Sequence, residues 1–302
     1  MVGRIIEGVG GLYTVRVEND GEVKNIFCRA KGIFRHEGIS PLVGDIVSLD
    51  TLAGEDNAVI DEIFERKNSL IRPPMANLDC VFVAFASAKP APMLDMVDKL
   101  IAILEHNDIE PVIVIGKSEL DPIKASELAE IYDKAGFRVF SLSCTTGEGV
   151  EEIRKFISER SGVMAMAGAS GVGKSTLLNK LFPSLELGTG SVSRKTDRGR
   201  HTTRAVTLYE VGDGAFFADT PGFSMLDFER FDFFDLEDLP LSFREINERI
   251  GECRYKKCTH IREDGCAIVE AVARGEISKS RHQSYVSLYE ILKNKHKWNK
   301  DK

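Results

Sequence analysis

Along the first 68 or so residues, apolar and polar positions alternate in short runs. Tyr13, Val15 and Val17 alternate with polar neighbours, Val47 and Leu49 flank Ser48, and Val59–Ile63 follows the same rhythm less cleanly. Gly10-Gly11, Asn19-Asp20-Gly21 and Gly54 fall between these runs as turns. Several short strands with no helix-length periodic run predict a small antiparallel barrel of the OB type over 1–68. An SH3-like barrel would leave the same trace.

Beyond Arg72-Pro73-Pro74 the rhythm changes. Leu78–Phe85 is an almost unbroken apolar run, as a buried parallel strand requires. Met93, Met96, Leu100, Ile103 and Leu104 then recur at helical spacing. Strands are predicted at Pro111–Ile115, Phe137–Leu142 and Val163–Ala167, and helices at Ala125–Ala135 and Val150–Ile157. Alternating strand and helix predicts a parallel sheet with helices on both faces over 69–225. After Gly222, phenylalanines interleaved with acids (Phe228, Phe231, Phe233, Phe234) lead into short helical stretches, so 226–302 is expected to form a third, mostly helical domain.

Composition changes this picture little. The 302 residues are 43% apolar and 29% charged, an ordinary globular profile. No apolar run approaches the roughly 20 residues of a membrane span. The start, with its early and repeated glycines, does not resemble a secretion signal. A cytoplasmic monomer without a membrane partner is the expectation. The net charge of −7 argues against a protein that coats nucleic acid indiscriminately. Ser193–Arg204 and Arg274–Lys302 are nonetheless locally basic, and such patches can meet phosphates. A solvated charged face would look the same.

The strongest chemical signal is Gly168-Ala169-Ser170-Gly171-Val172-Gly173-Lys174-Ser175, which fits G-x-x-x-x-G-K-[S/T] between a predicted strand and the helix marked by Leu177, Leu178 and Leu181. Glycines let the backbone turn several N–H groups onto one phosphate, and the helix start, from Ser175 and Thr176, adds partial positive charge. Lys174 would reach the β- and γ-phosphates, and the Ser175 hydroxyl would ligate Mg²⁺. The apolar run Ala215–Ala218 leads into Asp219-Thr220-Pro221-Gly222. Asp219 can hold the Mg²⁺ through water and Gly222 can offer its N–H to the γ-phosphate. Between them lies Gly199-Arg200-His201-Thr202-Thr203-Arg204, where Thr202 or Thr203 could complete the metal shell only when the γ-phosphate is present.

Two further stretches precede this phosphate site. Gly116-Lys117-Ser118-Glu119 ends one predicted strand, and Ser141-Leu142-Ser143-Cys144-Thr145-Thr146-Gly147-Glu148-Gly149 follows the next. With them in front, the chain resembles the circularly permuted GTPases that assist maturation of the small ribosomal subunit. That family reads the base with NKxD and SA motifs placed before the phosphate loop, and flanks its GTPase with an N-terminal barrel and a C-terminal Cys/His knot. The likeness runs over nearly the whole chain, including Arg72–Asp79 and Gly275–Tyr285. It implies GTP and GDP as ligands, hydrolysis stimulated by the subunit, and contact with its rRNA. Gly116 and Glu119 stand where the family has Asn and Asp, so Ser143, Cys144 and a lengthened carboxylate are expected to hold guanine with weaker discrimination. Phe223 follows the DxxG motif where Ras-like enzymes carry a water-orienting glutamine. The family shares this apolar replacement, which implies a slow enzyme that needs its partner. His201 is the in-chain candidate for positioning the water, with Lys174, Thr202 and Thr203 completing the catalytic set.

Of six cysteines, Cys28, Cys80 and Cys144 lie in isolation, where a small buried hydrophobe suffices. Cys253, Cys258 and Cys266 crowd together with His260. Three thiolates and one imidazole make the ligand set of a closed, structural Zn²⁺ site with no open position for catalysis. Lys293, Lys295, Lys297 and Trp298 are candidate RNA contacts. Two rival readings stay open at this point. One is a P-loop ATPase or small-molecule kinase, and the other is a nucleotide-dependent RNA-binding adaptor with negligible hydrolysis.

Overall fold

A computed structural model describes residues 1–19, 21–36, 38–51, 58–185, 206–219 and 232–300, with only the backbone described at 35, 51, 184 and 296–300. The strands in chain order are β1 (Val2–Val9), β2 (Leu12–Asn19), β3 (Glu22–Ala30), β4 (Ile46–Thr51), β5 (Ala58–Ile63), β6 (Ser69–Leu70), β7 (Met75–Ala76), β8 (Leu78–Ala86), β9 (Glu110–Gly116), β10 (Arg138–Ser141), β11 (Gly162–Ala167), β12 (Thr207–Gly212) and β13 (Ala215–Asp219). The helices are α1 (Ile33–His36), α2 (Leu94–His106), α3 (Pro122–Lys134), α4 (Val150–Ser158), α5 (Lys174–Leu181), α6 (Arg244–Asn247), α7 (Ala267–Ala273) and α8 (Lys279–Lys300). By contacts the chain forms two compact units. One comprises Met1–Cys80, Lys155–Met166 and Phe182–Phe223, and the other Val81–Arg154, Ala167–Leu181 and Ser224–Lys302.

The first unit begins with the barrel. Strand β1 pairs antiparallel with β2 on one side and with β4 on the other, so the five strands close in the order β1-β2-β3-β5-β4. The period-2 positions supply its core: Ile5, Val15, Val17, Val47, Leu49 and Ile60 are all buried. The predicted antiparallel barrel of the OB type is present, with β1–β2, β2–β3, β1–β4 and β4–β5 antiparallel and β3 and β5 parallel. Inserting β5 between β3 and β4 demands that crossover, and it is the Greek-key OB arrangement. Beyond β1 the same unit continues through β12 and β13 to β11. There β12 is antiparallel to β13 and β13 parallel to β11, which accords with the mostly parallel sheet expected of this α/β region. Asp79 fixes the start of β11 by accepting the Val163 N–H at 2.6 Å. Gly162, at φ +93°, leaves room for it, since a Cβ there would lie 2.0 Å from the carboxylate.

In the second unit the strand order is β10-β9-β8, with β9 and β10 parallel. The apolar runs that predicted β8 and β9 are almost wholly buried, whereas the residues of β10 are half-buried or exposed. Asp121 caps α3 by accepting the Lys124 N–H, and Pro122 starts the helix. Helix α8 buries Arg281, Ser284, Tyr285 and Leu288, one stripe at helical spacing. Arg281 within that stripe forms ion pairs with Asp98 of α2 (2.8 Å) and Glu245 of α6 (2.7 Å). Its guanidinium lies 4.7 Å from the ring centre of Phe243. Arg244 forks onto Glu105 of α2 at 2.7 and 2.9 Å.

Candidate functional site

Strand β11 delivers the chain into the loop at Gly168, and the loop ends where α5 begins at Lys174. Gly168, Gly171 and Gly173 all have positive φ (143°, 79° and 105°), which side-chain-bearing residues rarely adopt. Gly168 is also confined: a Cβ there would meet the Ala84 carbonyl oxygen at 2.0 Å. Leu177 and Leu181 anchor α5 in the core. The Lys174 ammonium donates to the carbonyls of Gly168 (2.6 Å) and Ala169 (2.7 Å), so it bridges the mouth of the loop. Burial pulls its pKa below the usual lysine value.

The two earlier stretches meet this loop inside the second unit. Gly116, Lys117, Glu119, Leu120, Cys144 and Thr145 line a cavity of about 300 Å³ together with Val172, Gly173, Lys174 and Thr176. Gly116 closes against the phosphate loop, where an added Cβ would stand 3.1 Å from the Val172 carbonyl oxygen. Lys117, left-handed at φ 57°, donates from Nζ to the Gly171 carbonyl at 2.7 Å and to Lys89 at 2.7 Å. The Ser118 N–H bonds the Leu142 carbonyl at 3.1 Å, tying the two stretches together. Glu119 accepts from the Thr145 hydroxyl at 3.1 Å through Oε1, while its Oε2 is buried with no hydrogen-bond partner. The nearby Ser143 hydroxyl, above all, holds this carboxyl below the usual range. An ionised carboxylate with an unpaired oxygen is an acceptor for N–H donors on a base edge. Asp219 ends β13 in the first unit, and burial raises its pKa.

The Cys/His cluster is assembled by the loop before α7. The ligand atoms of Cys253, Cys258, His260 and Cys266 all lie within 4.8 Å of one another. Cys253 Sγ is 3.5 Å from His260 Nδ1 and 3.8 Å from Cys266 Sγ, and Cys266 Sγ is 3.8 Å from His260 Nδ1. A tetrahedron with metal–sulfur bonds of about 2.3 Å and metal–nitrogen bonds of about 2.0 Å has edges of about 3.5–3.8 Å, so the donors fit one ion. Burial pushes the Cys258 thiol up to about 12 and lowers the His260 imidazole, so a cation is what would favour thiolates here. Glu263 organises the loop by accepting N–H groups of Thr259 (2.8 Å), Ile261 (3.1 Å) and Arg262 (3.1 Å). Burial works to raise that carboxyl, and the hydrogen bonds overcome it, leaving the pKa at about 2. Helix α8 clamps the loop: the His282 imidazole contacts the His260 carbonyl at 2.7 Å and the Tyr285 hydroxyl donates to the Thr259 carbonyl at 3.0 Å.

Residues 63–229 match the family model described as RsgA GTPase, and residues 2–60 match that of the RsgA N-terminal domain. The chain belongs to the RsgA GTPase family. It is therefore a GTP-hydrolysing enzyme, which removes the kinase and non-hydrolysing adaptor readings. The small ribosomal subunit biogenesis GTPase RsgA of Agathobacter rectalis is 40% identical, with 99% of this chain and 100% of that protein covered. That of Halalkalibacterium halodurans is 41% identical, with 98% of each covered. Among solved structures, YloQ, described as a circularly permuted GTPase, gives a TM-score of 0.76 at 32% identity over 97% of this chain and 95% of that one. YjeQ from Thermotoga maritima gives 0.79 at 31% identity over 96% and 98%.

Within this RsgA GTPase fold, Gly116, Lys117, Glu119, Cys144, Val172, Gly173, Lys174 and Thr176 of the predicted residues line one cavity, Ser118, Ser143, Gly168–Gly171 and Ser175 are not part of its lining, and the four cysteine and histidine donors converge on one point. His201, Thr202, Thr203, Gly222 and Phe223 lie outside the described residues, as do the side chains of Lys297 and Trp298. Sequence reasoning missed Thr145 as a partner of Glu119, although it lies inside the stretch that drew attention. It also missed Arg281, His282 and Tyr285 as the residues that bind α8 to its surroundings. The serine-, arginine- and tyrosine-bearing segment Gly275–Tyr285 was the available signal.

Proposed function

We propose that this chain is a GTP-driven factor in the biogenesis of the small ribosomal subunit. One observation carries the reading most directly: Gly116, Lys117, Glu119 and Leu120, with Leu142, Cys144 and Thr145, precede the phosphate loop in sequence yet share a cavity with it, which is the permuted arrangement. Relatives covering the whole chain carry the subunit in their names. In this reading Gly168–Thr176 hold the phosphates, while Gly116–Glu119, Ser143 and Cys144 surround guanine. Lys174 neutralises the β- and γ-phosphates. Ser175 and Asp219 are the residues that would hold Mg²⁺, which when bound offsets charge on the same oxygens. Thr202, Thr203 and Gly222 respond to the γ-phosphate, His201 orients water, and the subunit supplies what Phe223 cannot. The cysteine and histidine cluster takes zinc, since three thiolates and an imidazole suit that ion. The domains divide as 1–68, 69–225 and 226–302, with rRNA met by the barrel and by Lys293, Lys295, Lys297 and Trp298. The factor works as a cytoplasmic monomer.

Sedimentation with purified small subunits tests this. The protein should travel with the subunit in a non-hydrolysable GTP analogue and leave it in GDP, and added subunits should speed phosphate release. Nucleotide-independent migration together with unstimulated hydrolysis would overturn the proposal.

A further inference from the structure

Glu119 is longer than the aspartate that its motif normally carries, and a longer side chain has one more bond about which to wander. The surrounding loop compensates. The Ser143 N–H bonds the Glu148 carbonyl (3.0 Å), the Gly147 N–H bonds Ser143 (2.9 Å), and the Thr146 N–H reaches the Ser143 hydroxyl (3.1 Å). Gly149, at φ +73°, packs so closely that a Cβ would stand 2.4 Å from the Ser141 carbonyl oxygen. Thr145 therefore sits on a loop held from both sides. Its hydroxyl donates to Glu119 Oε1 at 3.1 Å, beside the Ser143 hydroxyl that also acts on this carboxyl, and Oε2 is buried. Among the described residues that line the cavity, Glu119 is the one acid.

We propose that Thr145 is a positioning residue for base recognition, whose hydroxyl pins Oε1 of Glu119 and so holds the carboxylate in the orientation that accepts an N–H of guanine. The proposal rests on the guanine reading of the cavity. A carboxylate fixed at one oxygen no longer spends rotamer freedom when the base arrives. Adenine offers no N–H at the ring position where guanine carries one, so ADP reports the phosphate grip without the brace.

The test measures GDP and ADP affinities by competition calorimetry on the full chain. Thr145→Val, which keeps shape and removes the hydroxyl, should cut the GDP-to-ADP affinity ratio about tenfold, the scale of one hydrogen bond to a charged group. ADP affinity itself should stay within about twofold, and Thr145→Ser should restore the ratio. A ratio unchanged in Thr145→Val overturns the brace, as does an equal loss of GDP and ADP affinity, which marks a general structural role. Glu119→Gln separates the two levels of the argument. If it collapses the ratio while Thr145→Val does not, the brace alone fails. If neither variant moves the ratio, the guanine role of Glu119 fails with it.

Discussion

Replacing Arg281 with methionine should cost this protein far more than a surface arginine would. Arg281 is 1% exposed and makes three hydrogen bonds: to Asp98 at 2.8 Å and to the two oxygens of Glu245 at 2.7 and 3.2 Å. The Tyr132 hydroxyl adds a bond to Asp98 at 3.0 Å, while Asp98 Oδ2 is buried without a partner. Methionine fills much of the volume among Phe243, Phe137 and Tyr132 but leaves two carboxylates with no cation. Removing one member of a buried pair typically costs about 3–5 kcal/mol. For a domain of 150–250 residues that corresponds to a fall of about 10 °C in Tm. The defect should also depend on pH. Burial already raises the Asp98 pKa in the native chain, with the Arg281 charge opposing it. A carboxyl raised on folding is no burden below its unfolded pKa, and the cost grows as pH climbs through the interval to the folded value. Without Arg281 that interval widens. The difference between variant and parent should therefore be larger at pH 8 than at pH 5, measured by urea unfolding followed by circular dichroism. Replacing Asp98, Glu245 and Arg281 together with apolar residues of similar volume should recover most of the loss. An Arg281→Met protein within about 1 kcal/mol of the parent at both pH values would refute this account of how α8 is held.

Other expectations are more local. Gly168→Ala places a Cβ 2.0 Å from the Ala84 carbonyl oxygen at φ +143°, so GDP affinity should fall at least about tenfold, as calorimetry can check; full affinity would mean the loop can bend elsewhere. Protein prepared without chelator should carry one zinc per chain by elemental analysis. Cys258→Ser should lose that metal and lower Tm, because Tyr285 and His282 of α8 rest on the same loop; a metal-free parent of equal stability would dismiss the zinc assignment.

Much of this molecule was legible in its residues. Alternation around Val15, Val17, Val47 and Leu49 marked barrel strands, and the run Leu78–Phe85 marked a buried one, because a strand's burial is written in its own neighbours. The phosphate loop was equally plain, since the chemistry needs glycines, lysine and serine at fixed spacing. The cysteine and histidine cluster was also legible, as four ligands within one short loop can close on one ion without help from distant chain. Orientation of strands was not: the parallel β3–β5 pair and the antiparallel β12–β13 pair depend on connections between segments. Nor did periodicity mark Arg281 as interior, because a lone arginine on a polar helix ordinarily reads as solvated. Its burial depends on Asp98, 183 residues away in the chain, and on Glu245. The partnership of Thr145 with Glu119 has the same origin. Local pattern determined which elements form and which groups could carry chemistry; tertiary packing decided which charges and hydroxyls face one another, because pairing energies act through space between positions that sequence spacing leaves independent.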